Sequence, residues 1–164
     1  MKEIPLTQGK IALVDDEDFE GLNKFKWCAS KSNNIFYAQR GVRNKGKFKS
    51  FLMHREIVNI SDGELVDHRN GNGLDNQKIN LRLATHKQNM QNQDHSHKDN
   101  QYGIKGVYWR ESRRKFVARI KVNGKVKQCG SFNVLGDADS AYRKAEVKYF
   151  GEFSRESNKT LSGT

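Results

Sequence analysis

The chain has 164 residues, room for one ordinary domain or two small ones. Its formal net charge of +11 with 30% charged residues marks a partner of opposite sign, and nucleic acid is the commonest polyanion a soluble protein meets. No apolar run is long enough to span a bilayer, and Met1 to Pro5 do not open a signal peptide, so the expected compartment is the cytoplasm and a membrane partner is excluded.

From the N-terminus, residues 1 to 60 read as a mixed, mostly β region. Ile4–Thr7 and Lys10–Val14 predict a hairpin turning at Gln8-Gly9. The acids from Asp15 to Asp18 predict a helix start, with Phe19, Leu22 and Phe25 on one face. Trp27 and Cys28 open another strand. Ile35–Val42 and Lys47–Met53 then flank a basic turn, Arg43-Asn44-Lys45-Gly46, that suits contact with a nucleic-acid backbone. His54–Ile60 predicts a short helix. Cys28 and Cys129 lie far apart without CxxC spacing, so both read as small buried apolar residues rather than a disulfide or a zinc site.

Residues 61–93 carry the chemistry. An apolar run closes on Asp67-His68, a glycine-rich loop follows, then Asn80, the alternation Leu81 and Leu83, and Thr85-x-x-Gln88, a capping-box signal. Asn89 falls one turn into that helix. The pattern D-H-x11-N-x8-N on strand, loop, strand and helix suits phosphodiester hydrolysis. A hard divalent cation keeps several waters, so the Asp67 carboxylate and the Asn89 amide oxygen could suffice as its protein ligands. His68 titrates near neutrality and could take a proton from water. Its side chain points opposite to Asp67 along an ideal strand, so the strand must end or twist at this pair. Arg82 reads equally as a phosphate contact through its forked donors or as half of a surface ion pair. Asn76 is expected to bond loop backbone. His86 is a rival to Asn89 as a ligand, and His54 braces such a site, touches a phosphate or is a structural histidine.

Gln91 to Gln101 has no aliphatic or aromatic side chain, and residues 94–101 read as a linker, with His95 and His97 a His-x-His pair inside it. From Tyr102 the texture changes. Strand patterns cover Gly103–Arg110, Lys115–Val122 and Val126–Phe132, with Asn123-Gly124 a hairpin turn. Phe116, Ala118, Ile120 and Val122 alternate with Lys115, Val117, Arg119 and Lys121. Asp137–Tyr149 predicts a helix with Ala138, Ala141, Tyr142, Ala145 and Tyr149 on one stripe. Between Lys105 and Lys127 there are nine Lys or Arg against one acid, Glu111. The expectation is a sheet with one face on the helix and a basic face toward solvent, able to enter a major groove.

Asp67-His68, Asn80 and Asn89, with the Leu74-Asp75-Asn76 and Asn80-Leu81-Arg82 runs, resemble the HNH endonucleases, in particular the homing branch of phages and mobile introns. The resemblance implies a ββα-metal core in which Asp67 and Asn89 are metal ligands and His68 is the general base. It makes Asn80 the residue that braces the loop and keeps the histidine oriented. Asn89 stands where many members have histidine. The implied cofactor is a divalent cation, magnesium with manganese as the alternative.

Residues 102–153 resemble the APETALA-type (ethylene-response-factor) DNA-binding domain through Lys105-Gly106-Val107, Lys115 to Ile120, Gly124-Lys125, Cys129 to Phe132 and Ala141-Tyr142. By position this implies DNA contact from Lys105, Tyr108, Arg110, Arg113, Lys115, Arg119 and Lys121. Plant members usually have arginine in place of Lys105 and Trp-Leu in place of Gln128-Cys129, so base preference does not carry over.

The expected fold is α+β: a β-rich region (1–60), a ββα-metal core (61–93), a linker, a three-stranded antiparallel sheet on one helix (102–153) and a tail (154–164). The expected function is metal-dependent endonucleolytic cleavage of double-stranded DNA by a monomer encoded by a phage or mobile element. The rivals are a non-catalytic DNA-binding regulator with a decayed core, and a protein that binds or cuts RNA.

Overall fold

The structure is a computed structural model and describes residues 1–61, 63–92 and 100–158. They form a mixed α+β protein in two compact units, residues 1–90 and the chain from Gln91 onward.

The first unit opens with a hairpin of β1 (Lys2–Pro5) and β2 (Ile11–Val14), paired from Lys2↔Val14 to Pro5↔Ile11. Gln8 and Gly9, both at φ 63°, make the expected turn. α1 (Asp16–Leu22) begins with three acids that complement its positive end. It buries Leu22, with Phe19 packed against the core. Phe25 departs from the expected face: it lies beyond the helix, exposed, with the Arg40 guanidinium 3.9 Å from its ring centre. β3 (Cys28–Ser32), β4 (Ile35–Asn44) and β5 (Lys47–Leu52) form an antiparallel sheet in the order β3-β4-β5. Ile4, Ala12, Val14, Leu22, Trp27, Ala29, Ala38 and Met53 make one core beneath both sheets. Trp27 donates its indole N–H to the Leu22 carbonyl at 2.8 Å, so its polar edge is satisfied inside that core.

Cys28 is exposed, its thiol 3.0 Å from the Gln39 carbonyl, and Cys129 is half-buried. The expectation that both are buried fails because Cys28 lies at the end of β3, an edge strand.

α2 (Met53–Val58) ends sooner than expected, at a left-handed Asn59 with φ 50°. β6 (Leu65–His68) and β7 (Leu81–Ala84) pair antiparallel, and α3 (His86–Asn92) follows directly. The loop between β6 and β7 docks on the N-terminal hairpin. Leu13 donates to the Leu74 carbonyl and Asn76 N–H to the Leu13 carbonyl, each at 2.8 Å, a short parallel bridge. Asp15 accepts the Lys78 amide at 2.8 Å. The β-rich region and the segment carrying Asp67 and His68, expected as separate stretches, therefore share one unit.

In the second unit β8 (Val107–Arg110), β9 (Lys115–Val122) and β10 (Lys125–Phe132) form an antiparallel sheet in the order β10-β9-β8. Asn123 (φ 51°) and Gly124 (φ 79°) make the expected turn. α4 (Leu135–Phe150) covers one face through a core of Val107, Ala118, Ile120, Ala138 and Tyr142. Gly106 sits at φ 73° where a Cβ would strike the Tyr142 ring, so only glycine lets the chain pass under α4. The inward stripe of α4 differs from the expected one at its end. Phe150 packs inward, Glu146 is buried, and Tyr149 is exposed.

The segment expected as a tail is partly structured. α5 (Arg155–Asn158) places Asn158 so that its amide donates to Asn92 Oδ1 (3.1 Å), the Glu152 carbonyl (3.1 Å) and the Ser154 carbonyl (2.8 Å). The expected linker lies largely outside the described residues, as do His95 and His97. Asn100, at its end, donates to the Ile104 and Val107 carbonyls at 2.5 and 3.0 Å.

Candidate active site and nucleic-acid interface

Asp67 and His68 are the last two residues of β6, still paired to β7, and so leave opposite faces of the β6–β7 hairpin; both are buried. Asp67 lies across from Arg82, and His68 across from Leu81. Arg82 Nε (2.9 Å) and Nη2 (2.6 Å) both donate to Asp67 Oδ2, and each side chain is 5% exposed. The Arg82 guanidinium is therefore buried against the carboxylate: of the two expectations for it, the ion pair forms, in the interior rather than at the surface.

His68 enters a nest of polar and aromatic groups. Its Nε2 is 3.3 Å from Asn76 Oδ1. Asn76 is fully buried and donates its own amide N–H to the Leu74 carbonyl at 3.2 Å, which turns the amide oxygen toward the imidazole. The proton then belongs on Nε2 and the lone pair on Nδ1. The His54 ring meets His68 edge-on at 4.9 Å, and Tyr37 of β4 lies 5.8 Å from each. Burial pushes the His68 imidazole below its ordinary range, opposed by the bond to Asn76 and the negative charges of Asp67 and Asp75. Burial, and then the Asp67 carboxylate, push the Tyr37 hydroxyl up. Gly73 lets the loop close over this nest, since a Cβ there would meet the Phe36 carbonyl at 2.5 Å and the Tyr37 ring at 2.6 Å.

Asn80, buried, bridges the loop. Its Oδ1 accepts the Asn70 N–H at 3.0 Å and its amide donates to the Asp75 carbonyl at 2.7 Å. Asn70 in turn donates to Asp75 Oδ2 at 2.7 Å. The contact with the histidine itself comes from Asn76, which the sequence reading assigned only to loop backbone. Tyr37 has no sequence signal, because nothing local ties a strand residue to a histidine 31 positions on.

The capping box forms as expected: Thr85 N–H donates to Gln88 Oε1 at 2.8 Å and Gln88 N–H to Thr85 Oγ1 at 3.3 Å. It sets the start of α3 and puts Asn89 half-buried one turn in, while His86 is exposed. Among the described residues no group of three or more His, Cys, Asp or Glu could hold a metal. The donors expected of this site, one carboxylate and one amide oxygen, fit a hard cation that keeps most of its waters and do not fit zinc.

His54 has a measurable signature. Burial first, and then the neighbouring His68 and Arg55, push it down to about 3, and its Nδ1 has no hydrogen-bond partner. The unfolded chain binds a proton there near pH 6.5 and the folded chain does not until about pH 3. The contribution is complete above pH 6.5 and is lost as pH falls, by up to about 1.4 kcal/mol per pH unit. Urea unfolding at pH 7, 6 and 5 should show a steeper loss for the wild type than for His54→Asn.

In the second unit the antiparallel register puts Tyr108 and Arg110 on the same sheet face as Lys115, Arg119 and Lys121, away from α4. The Arg119 guanidinium lies 5.1 Å from the Tyr108 ring centre. Arg113 is exposed in the turn between β8 and β9. Val117, between these basic residues, is buried. Trp109 faces the other way, packed on Phe116 at 4.8 Å. Lys105 does not join the basic face: its ammonium donates to the Gln91 carbonyl at 3.0 Å and lies 3.4 Å from Glu146 Oε1 of α4. Burial pushes the Glu146 carboxyl up, and Lys105 opposes it. No helix among the described residues is long and apolar enough to cross a membrane.

The model of the HNH endonuclease family matches residues 59–91, the span from the end of α2 into α3. The uncharacterized HNH endonuclease L560 of Acanthamoeba polyphaga mimivirus is 29% identical over 154 residues, 90% of this chain and 74% of the viral protein. Protein 3.8 of Escherichia phage T7 is 32% identical over 96 residues, 58% of this chain and 78% of the phage protein. No solved structure matches the chain significantly. The chain thus carries an HNH endonuclease domain, is homologous to an HNH endonuclease, and belongs to one family with the phage T7 protein.

Proposed function

We propose that this protein is a metal-dependent endonuclease of the homing type that hydrolyses phosphodiester bonds in double-stranded DNA. The observation that carries the reading is His68: a buried imidazole on the HNH segment, next to a buried carboxylate, with Nε2 taken by an amide that is itself held in place. That arrangement leaves Nδ1 as the basic atom. The lowered proton affinity keeps the ring neutral at physiological pH, the state a general base needs. His68 takes a proton from the attacking water at Nδ1. Asn76 holds the ring at the angle that makes this possible. Asn80 holds the loop that carries Asn76.

Asp67 and Asn89 are the residues that would hold the cation, magnesium or manganese, which when bound supplies charge stabilisation at the scissile phosphate and the departing oxygen. Arg82 fixes the Asp67 carboxylate in orientation. The second unit holds the duplex through Tyr108, Arg110, Arg113, Lys115, Arg119 and Lys121, the sheet face supported by its APETALA-type resemblance and its charge. Lys105 supports that unit from the helix side.

The test is nicking and linearisation of supercoiled plasmid bearing genomic DNA from the host. The expected result is cleavage with magnesium or manganese, abolished by chelation. Duplex binding without cleavage under any divalent cation would instead make the protein a DNA-binding regulator.

A further inference from the structure

β3 pairs with β4 only from Ser32↔Ile35 to Cys28↔Gln39, whereas β4 and β5 stay paired to Asn44↔Lys47. Beyond Gln39 the two strands run on without a third, and every residue from 41 to 50 is exposed. A two-stranded ribbon is marginal in water on its own. The local sequence of this one supports the shape. The Phe48 ring lies over Gly41, where any Cβ would collide with it, so the ribbon stays thin. The turn has Lys45 at φ 47° and Gly46 at φ 78°, the doubly left-handed geometry that Asn-Gly adopts easily and lysine does not. A lysine at the strained position puts positive charge at the very tip.

Charge dominates the ribbon. Arg43, Lys45, Lys47 and Lys49 stand on it with no acid between Arg40 and Arg55. No carboxylate among the described residues pairs with these four. By register Lys47 and Lys49 share one face with Asn44 and Val42, while Phe48 and Arg43 face each other on the opposite one. Arg40, at the base, is anchored by Glu56 at 2.8 Å and belongs to the fold. β4 is also the strand that carries Tyr37 against His68. Ribbon tip and Tyr37, the ring packed beside the candidate base, are thus seven residues apart on one strand, about 23 Å at roughly 3.3 Å per residue, the length of about seven base pairs of duplex at 3.4 Å each.

We propose that the β4–β5 ribbon is a second duplex-DNA clamp, built into the cutting unit, which holds phosphates up to about seven base pairs from the bond that His68 addresses. This rests on the nuclease reading only for the cleavage position; the binding claim stands on the ribbon's shape and charge. A thin basic two-stranded ribbon is one of the elements a DNA groove admits, and its lysines would contact phosphates without regard to sequence.

The test is binding of the full chain to a 40-base-pair duplex of arbitrary sequence (about that length), without divalent cations, over a salt series. Replacing Lys45, Lys47 and Lys49 by glutamine should lower the slope of log K against log salt by between about 2 and 3 units, at about 0.9 per phosphate contact. A control with Lys24, Lys144 and Lys148 replaced by glutamine removes the same charge from exposed positions elsewhere and should change the slope by less than half as much. Lys45→Gly adds a safeguard: it relieves the left-handed strain, so the fold is kept, yet it should still lower the slope by about 0.9. Equal slopes for ribbon and control variants, or an unchanged slope for both ribbon variants, overturn the clamp. So does loss of binding confined to structured RNA. A chain that never cuts but shows the ribbon-specific slope change keeps the clamp and defeats the nuclease reading.

Discussion

Replacing His68 by alanine should slow plasmid nicking by about 10²- to 10⁴-fold, the usual worth of a positioned general base, while duplex affinity measured without divalent cations stays within about twofold. Those two readouts separate loss of proton transfer from loss of binding. The expectation follows from the position of the ring rather than from its identity alone. His68 is buried at the end of β6, Nε2 is engaged by Asn76, and Tyr37 and His54 pack its flanks. Asn76→Ala should share a large part of the defect, because an imidazole without that acceptor can put its proton on either nitrogen. If His68→Ala cuts as fast as the wild type, the base lies elsewhere and the assignment of Nδ1 fails.

The second large effect is on stability. Asp67→Leu should cost about 3 to 5 kcal/mol in urea unfolding, because it leaves the Arg82 guanidinium buried without its carboxylate. Asp67→Leu with Arg82→Leu should recover most of that loss, since two apolar groups remove the unpaired charge as well as the attraction. Neither variant should nick DNA, because both lack the proposed cation ligand. A single variant as stable as wild type would mean that Arg82 turns outward to solvent and that the pair is not a buried one in solution.

Several features were legible in the sequence because they depend on neighbours along the chain. The Asn123-Gly124 turn, the alternation through β9, the capping box at Thr85 and the turn at Gln8-Gly9 each need only a few residues of context. Asp67-His68, Asn80 and Asn89 stood out by residue type and spacing, and the family match falls on the same segment. What the sequence hid was register and remote packing. For Arg82 an ion pair stood level with a phosphate contact, and its buried place across from Asp67 was hidden because it depends on how a long loop closes. Asn76 read as a turn residue because its oxygen finds His68 only after that loop docks on β2. Tyr37 and His54 arrive from other elements altogether. On α4 the charge of Glu146 argued for solvent, yet the buried side follows Ala138, Tyr142, Glu146 and Phe150 at four-residue steps, with Lys105 compensating the carboxylate. Lys105 is consequently a helix-side residue despite sitting in the most basic stretch of the chain.

The bridge between Leu13 and the Leu74–Asn76 segment makes the opening hairpin part of the scaffolding of the candidate site. A fragment trimmed to the family-matched span would keep Asn76 but lose the strand against which its loop is shaped, and with it the placement of the amide that orients the imidazole. The smallest portion worth expressing to test the proposed nuclease is therefore residues 1–90, nearly three times the length of the recognisable motif. Sequence drift in the opening hairpin, far from any signature residue, should register as lost turnover before it registers as lost solubility.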